Sequence, residues 1–156
     1  MSAFQSAIDI RTARIDDAAT LAQLLSEMDD APASQVTPEA IEHMRAVLAD
    51  MAAYPDFRVY LLCRDGVPVG SFSLMVFAGP SHQGTPQAML DGVVVARSVR
   101  GAGLGQRMIR HAMTLAADAG CYKMSLSSNL KRTDAHRFYQ QLGFVQHGVS
   151  LSIALM

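Results

Sequence analysis

A strongly apolar segment that runs into a glycine-rich turn and then into a helical pattern constrains this chain most. Residues 89–95, Met-Leu-Asp-Gly-Val-Val-Val, are typical of a buried strand. The turn reads Arg100-Gly101-Ala102-Gly103-Leu104-Gly105, and apolar residues then recur at helical spacing as far as Ala119. Glycines let backbone N–H groups converge, and a helix N-terminus carries partial positive charge. The arrangement therefore predicts an anion site that suits a pyrophosphate.

The spacing of the glycines distinguishes between the carriers of a pyrophosphate. A dinucleotide fingerprint requires a third glycine at the position where this chain has Gln106. A P-loop requires Gly-Lys followed by Ser or Thr, and the chain has no such run. The sequence thus argues against a plain nucleotide-binding fold.

The rest of the chain alternates between strand and helix patterns, which predicts a single α/β domain over residues 1–156. We expect a mixed central sheet of about seven strands flanked by about four helices. Asp16 and Thr37 are the expected N-caps of the first two helices, and Asp65-Gly66 is a hairpin turn signal. The predicted strands cover residues 8–14, 58–64, 67–77, 89–95, 122–127, 144–147 and 149–155.

Composition and charge exclude several classes of function. The formal net charge is -1 and no Lys/Arg run exceeds two residues, so we expect no nucleic-acid partner. No apolar stretch is long enough to span a bilayer, and the start of the chain lacks the pattern of a signal peptide. Cys63 and Cys121 are isolated, as in reduced cytoplasmic proteins, and no Cys/His set has metal-ligand spacing. We expect a cytoplasmic protein without a metal.

Two motifs resemble those of the GNAT superfamily of N-acetyltransferases. The run Arg100-x-x-Gly103-x-Gly105 resembles the coenzyme A motif Gln/Arg-x-x-Gly-x-Gly/Ala of that family. Residues 135–144, AHRFYQQLGF, are similar to its A-x-x-F-Y-x-x-x-G-F signature, and residues 10–18 resemble its first strand and helix. The resemblance implies the GNAT fold and an acetyl-CoA-dependent acyltransferase that acetylates an amine by direct attack in a ternary complex.

The resemblance also implies where acetyl-CoA binds. In the family the sheet opens into a V, here between the strands predicted at 89–95 and 122–127, and the pantetheine arm pairs with the splayed strand. By that resemblance we expect the main chain of Val93, Val94 and Val95 to occupy that place, and one of these N–H groups to polarise the thioester carbonyl. The remaining candidates are the pyrophosphate ligands Gly101, Ala102, Gly103, Leu104, Gly105 and Gln106, the charged Arg100, and two residues for the arm or the 3′-phosphate, Asn129 and Arg132.

Two residues are the catalytic candidates that the resemblance supplies. Tyr139 stands where the family places a tyrosine near the sulfur, and its phenol would protonate the departing thiolate. Asp91, in the buried strand beside the cleft, would accept the amine proton. A water chain, His82, His136 or His147 are the alternatives for that base.

The sequence leaves the acceptor open. Asp29-Asp30 would suit a cationic amine, whereas Arg132 would suit a phosphorylated or phosphonylated amine. A small-molecule primary amine is the expected acceptor, with protein amines as an alternative. A non-catalytic acetyl-CoA sensor is the competing class of function. The alternation of Val149, Leu151, Ile153 and Leu155 predicts an apolar terminal strand and, through its edge, a homodimer.

Overall fold

The computed structural model describes residues 5–28 and 36–156, which form two compact units, Met1–Ser125 and Leu126–Met156. The first unit contains all the described strands: β1 Ile8–Thr12, β2 Phe57–Arg64, β3 Val67–Phe77, β4 Gln87–Val95 and β5 Met124–Ser125. It also contains the helices α1 Ala18–Ser26, α2 Pro38–Met51 and α3 Leu104–Asp118. The second unit contains the helix α4 Thr133–Gln141.

The five strands form one mixed sheet in the order β1-β2-β3-β4-β5. The first four strands pair antiparallel, and β5 pairs parallel with β4. Asp65 and Gly66 join β2 to β3 with φ of 52° and 81°, the left-handed geometry of a tight hairpin turn. The predicted α/β class and mixed sheet are confirmed.

The helices cover both faces of the sheet. Leu21 and Leu24 of α1 join Leu48 of α2 in a buried cluster that includes Val59 and Leu61 of the sheet. On the opposite face, the side chains of α3 lie so close that a Cβ on Gly70 would stand 2.7 Å from the Sδ of Met108. Burial of these apolar side chains is the main favourable contribution to folding, and it fixes β4 between α1 and α3.

The two predicted helix caps have different outcomes. Thr37 caps α2, because its hydroxyl accepts a hydrogen bond from the Ala40 N–H at 3.1 Å. The Asp16 cap is wrong, since a 3-10 turn over Ile15–Asp17 precedes α1 and moves the N-cap position to Asp17. The Asp17 carboxylate does not cap the helix either, because it binds Arg11 through two contacts of 2.8 Å. Those hydrogen bonds hold the pKa of Asp17 below its usual range.

The described residues form five strands rather than about seven, because neither predicted C-terminal strand forms. Residues 144–155 have no strand assignment, and Val149, Leu151, Ile153 and Leu155 are 80–89% exposed. Alternation of apolar with small or polar residues gives an extended segment one apolar face, but a strand also requires a partner backbone for its hydrogen bonds. None of the described residues supplies one for this segment. The strand predicted at 122–127 shortens to Met124–Ser125 for the same reason, since its pairing with β4 covers two residues.

Candidate active site

One edge of β4 is open along most of its length. On the other edge β3 pairs with β4 from Gln87 to Val95. On this edge β5 pairs only with Ala88 and Met89. From Leu90 onward no described strand pairs with this edge, which is where a V-shaped opening of the sheet was expected from the sequence.

A β-bulge adjusts β4 within this open stretch. Asp91 lies opposite Ser73 and Val94 opposite Ser71, so Gly92 and Val93 together face a single residue of β3. Gly92 has φ of 58°, a conformation that a side chain disfavours. Bulges of this kind redirect the residues that follow them and are frequent beside active sites.

The backbone N–H and C=O groups of Val93, Val94 and Val95 do not all point to the same edge of β4. The Ala96 N–H donates to the Val69 carbonyl at 2.8 Å, which fixes the alternation at the end of β4. Counting back from it, Val94 directs its backbone groups toward β3, whereas Val93 and Val95 direct theirs toward the open edge. Val93 and the Val95 N–H therefore face the edge of β4 that no described strand covers beyond Met89, whereas the Val95 carbonyl there accepts a hydrogen bond from Arg100.

The glycine turn prepares the N-terminus of α3. Gly101 has φ of 85° and Gly103, the N-cap, has φ of 77°. No side chain caps the helix, and its first backbone bond is donated by Arg107 to the Gly103 carbonyl at 3.2 Å. The N–H groups of Leu104, Gly105 and Gln106 thus precede the hydrogen-bonded ladder. The buried Leu104 side chain anchors the turn, and Gly101, Ala102 and Gly103 remain exposed.

Arg100 ties this turn to two other elements. Its Nε donates to the Val95 carbonyl at 3.0 Å, and its Nη2 donates to the Glu27 carbonyl at 2.7 Å, just past the end of α1. Carbonyl oxygens do not neutralise a guanidinium, so its charge remains beside the turn. The structure thus gives Arg100 a bracing role in addition to the predicted electrostatic one.

Asp91, the predicted base, is exposed on β4 immediately before the bulge. Its register partner Ser73 lies on the sheet face covered by α1 and α2. Among the described residues the Asp91 carboxylate has no hydrogen bond or ion pair. Its oxygens are therefore not occupied by another described side chain.

In the second unit, Tyr139 lies half-buried on α4. Its ring packs edge-to-face against Phe138 at 5.2 Å and Phe144 at 5.6 Å between centroids. Burial raises the pKa of the Tyr139 phenol, and the positive charge of Arg132 offsets part of that rise. Because this pKa is raised, the phenol is protonated at neutral pH, and no described residue hydrogen-bonds its hydroxyl.

Local geometry explains the spacing of the motif around Tyr139. Gly143 has φ of 101° and ends α4, and the Phe144 N–H then donates to the Tyr139 carbonyl at 3.1 Å. This left-handed helix ending returns the chain over its last turn. It places the Phe144 ring against Tyr139, so the glycine and both aromatic residues act together.

The turn before α4 engages Asn129 and His136. The Asn129 side-chain oxygen accepts the Lys131 N–H at 2.9 Å, and its carbonyl lies 2.9 Å from His136 Nε2. Asn129 therefore closes a turn, and His136, one of the alternative bases, contacts that turn. Arg132 is exposed, and its guanidinium contacts no acceptor among the described residues.

The other histidine candidates lie in different surroundings. The His82 ring packs against that of Tyr122 at 4.2 Å between centroids and 34° between planes, in a loop where His82 has φ of 50°. His147 is exposed in the C-terminal segment. Asp29 and Asp30, the proposed contacts for a cationic acceptor, lie outside the described residues.

Sequence reasoning missed two features of these sites. The Ser128 hydroxyl is buried and lacks a hydrogen-bond partner in the described chain, beside the predicted Asn129. No signal in the sequence distinguishes it from the neighbouring serines. The bulge was also missed, although a glycine inside a strand pattern is a known signal for one, and Gly92 supplies it.

Within residues 5–28 and 36–156, no three His, Cys, Asp or Glu side chains are grouped to hold a metal ion. None of the helices described above has the length and apolar character to cross a membrane. Cys63 is buried and Cys121 partly buried, and neither forms a disulfide.

Comparison with known proteins decides the family. The model of the acetyltransferase (GNAT) family matches residues 21–144, which include the open edge of β4, the glycine turn and α4. The chain belongs to the GNAT family. As a GNAT acetyltransferase it uses acetyl-CoA as the acetyl donor, as the resemblance of its motifs implied.

Relatives of this GNAT protein include two small-molecule acetyltransferases. It is 31% identical over 142 residues to a glucosamine 6-phosphate N-acetyltransferase of Trypanosoma brucei brucei, with 90% of each chain covered. It is 34% identical over 102 residues to an aminoalkylphosphonate N-acetyltransferase of Salmonella typhimurium, covering 65% of each. Among solved structures, a putative acetyltransferase from Agrobacterium tumefaciens has a TM-score of 0.83 and 29% identity, covering 94% of this chain and 99% of its own.

Proposed function

We propose that this enzyme acetylates the primary amine of a small molecule that carries a phosphate or a phosphonate. The exposed guanidinium of Arg132 supports this proposal, because its charge acts on the Tyr139 phenol and contacts no acceptor among the described residues. Arginine binds phosphate with two parallel hydrogen bonds. An anionic handle held by Arg132 would bring the acceptor close to Tyr139. Relatives that act on glucosamine 6-phosphate and on aminoalkylphosphonates support the same class.

The residues divide the chemistry of direct transfer between them. The amine nitrogen attacks the thioester carbonyl carbon, and the N–C bond forms as the C–S bond breaks. Asp91 accepts a proton from the nitrogen, directly or through water, and the Tyr139 phenol gives its proton to the thiolate. An open-edge N–H, of Val93 or Val95, stabilises the negative charge on the carbonyl oxygen. The N–H groups at the start of α3 hold the pyrophosphate.

A thiol-release assay with a panel of amines tests the acceptor class. We expect kcat/KM to be at least about tenfold higher for glucosamine 6-phosphate or 2-aminoethylphosphonate than for glucosamine, spermidine or kanamycin, since one charge-assisted contact contributes about 1.5–3 kcal/mol. Arg132→Gln should remove that preference and leave the KM for acetyl-CoA unchanged. Arg137→Gln is the matched control, because Arg137 is an exposed arginine on α4, the helix that Arg132 precedes as the N-cap residue.

Three outcomes would contradict the proposal. Equal kcat/KM for glucosamine and its 6-phosphate would show that the phosphate group of the acceptor is not recognised. A raised KM for acetyl-CoA in Arg132→Gln would assign this side chain to the cosubstrate instead. Thiol release with no amine, despite binding of acetyl-CoA, would favour a non-catalytic sensor.

We also propose that the enzyme is a homodimer formed through its C-terminal segment. The side chains of Val149, Leu151, Ile153 and Leu155 alternate with smaller residues and are at least four-fifths exposed in the single chain. An apolar, extended segment without a partner strand invites pairing with a second copy. Light scattering should therefore give twice the mass of 16.8 kDa at micromolar concentration. Leu151→Asp with Ile153→Asp should give monomers, and a wild-type monomer at high micromolar concentration would exclude the dimer.

A further inference from the structure

A cleft of about 370 Å³ lies between β1 and α3 in the first unit, outside the site described above. Its helix side is formed by Arg107, Arg110, His111 and Thr114, which recur at the spacing of one helix face. Its strand side is formed by three consecutive residues of β1, from Ile8 to Ile10. Neither the proposed chemistry nor the acetyl-CoA site uses this cleft.

The helix side of the cleft is basic, and the described residues do not neutralise its positive charge. Arg107 and Arg110 are exposed, and their guanidinium groups make no hydrogen bond or ion pair with any described residue. Asp9 is the one acidic residue among those that line the cleft, and it forms no ion pair with either arginine. The wall therefore favours an anionic occupant.

The strand side of the cleft is an unpaired sheet edge. β1 is the first strand of the sheet and pairs only with β2 among the described residues. The Ala7 carbonyl accepts from the Asp65 N–H and the Ala13 N–H donates to the Val59 carbonyl, both at 2.8 Å. Odd-numbered residues of β1 thus face β2, and the N–H and C=O groups of Ile8 and Ile10 face outward.

The floor of the cleft is apolar. Ile8 and Ile10 pair with Arg64 and Leu62, so their half-buried side chains lie on the sheet face that α3 covers. The cleft thus combines an apolar floor, a basic wall and a strand edge with both donors and acceptors. A phosphate group offers acceptors only and would leave the outward carbonyls of Ile8 and Ile10 unused.

We propose that this cleft binds an extended acidic segment of another polypeptide, which adds to the edge of β1. Main-chain hydrogen bonds to Ile8 and Ile10 would hold the segment as an extra strand. Side chains on its α3-facing side would place carboxylates against Arg107 and Arg110, and apolar side chains would cover the two isoleucines. The structure thus assigns a protein-docking surface to the face of the enzyme formed by β1 and α3.

Fluorescence anisotropy with the full chain tests this proposal. The probe is a peptide of about six residues, a typical strand length, that alternates Glu and Val. Fluorescein on its N-terminus blocks the amine, so the peptide cannot accept an acetyl group. We expect saturable binding that weakens when NaCl is raised from about 50 to about 500 mM. Arg110→Glu should weaken binding by about tenfold or more, because attraction becomes repulsion.

Two controls separate the docking surface from a general charge effect. Arg45→Glu makes the same charge change on α2, where Arg45 is 44% exposed, and should leave peptide affinity and acetyltransferase activity unchanged. A peptide with N-methyl groups on alternate residues keeps the carboxylates but loses backbone donors, and it should bind at least about tenfold more weakly. Amide hydrogen exchange should slow at Ile8 and Ile10 when the unmodified peptide is added.

Several results would overturn the proposal. If the labelled peptide does not bind, the cleft is not a docking surface for acidic strands. Equal affinity for the N-methylated peptide, or no added protection at Ile8 and Ile10, would exclude strand addition. Displacement of the peptide by tripolyphosphate, with the same dependence on Arg110 and no change in exchange at β1, would identify a phosphate site instead.

Discussion

Tyr139→Phe should lower the rate of acetyl transfer by about 10²- to 10⁴-fold, the usual contribution of a general acid. The substitution keeps the ring and its packing against Phe138 and Phe144, so folding and the affinity for acetyl-CoA should persist. The lost O–H acts on the thiolate that develops in the transition state, so the loss should appear in kcat rather than in KM. Steady-state and single-turnover measurements with a good acceptor provide the comparison.

The pH dependence supplies an independent readout of the same group. Only the protonated phenol can donate, so its contribution is present below its pKa and is lost as the pH rises through it. Burial raises that pKa, which places the loss above the ordinary phenol value of about 10. The wild-type rate should therefore show an alkaline decline there that Tyr139→Phe lacks.

The matched control is Tyr54→Phe, which removes an O–H from a tyrosine that is 58% exposed beyond the end of α2. It should leave kcat unchanged. An unchanged single-turnover rate in Tyr139→Phe would assign Tyr139 to packing and leave the thiolate to take its proton from water. If Tyr139→Phe lowers kcat but leaves the single-turnover rate unchanged, the substitution acts on a step after the chemistry, such as product release.

Local sequence signals predicted much of this fold because the geometry they specify is itself local. Thr37-Pro38 fixes the start of α2, Asp65-Gly66 fixes a hairpin, and the glycine turn fixes the start of α3. In each case the residues that determine the backbone conformation are neighbours along the chain. The two GNAT motifs are of the same kind, which is why the family could be predicted from the sequence.

The features that sequence analysis missed depend on partners distant in the chain. The alternation at residues 149–155 predicts one apolar face but cannot say whether a strand is available to pair with it. The Asp16 cap is an exception because its failure is local: a 3-10 turn over Ile15–Asp17 precedes α1, and Arg11 binds the neighbouring Asp17 carboxylate from six residues away. The bracing of the glycine turn by Arg100 depends on the Glu27 carbonyl, 73 residues earlier in the chain. Pairings at this distance leave no periodic pattern in the sequence.

Gly103→Leu should abolish the stabilisation of the protein by acetyl-CoA and leave it folded. Gly103 has φ of 77° at the N-cap of α3, and no atom lies within 4 Å of the position its Cβ would take. A leucine there has room in the protein alone, but its side chain would occupy the space in front of the N–H groups of Leu104, Gly105 and Gln106. The pyrophosphate requires that space to reach those donors.

The size of the effect follows from linkage between binding and folding. Acetyl-CoA at about a hundred times its Kd should stabilise the wild type by about 2.7 kcal/mol. For a chain of this length, that raises Tm by roughly 5–10 °C. In Gly103→Leu the shift should fall to within error, with acetyl transfer lost in parallel. The left-handed backbone alone should cost the variant about 1–2 kcal/mol of stability.

Gly120→Leu separates the strain from the loss of the anion site. Gly120 lies just past the other end of α3, with φ of 79° and no atom within 4 Å of its Cβ position. The two variants thus share the same strain, the same new side chain and the same helix, but only Gly103 stands before the helix N-terminus. Gly120→Leu should lose a similar amount of stability and keep the full acetyl-CoA shift. A full shift in Gly103→Leu would place the pyrophosphate of acetyl-CoA elsewhere. Stabilisation of the wild type by NAD or ATP and not by acetyl-CoA would contradict acetyl-CoA as the cosubstrate.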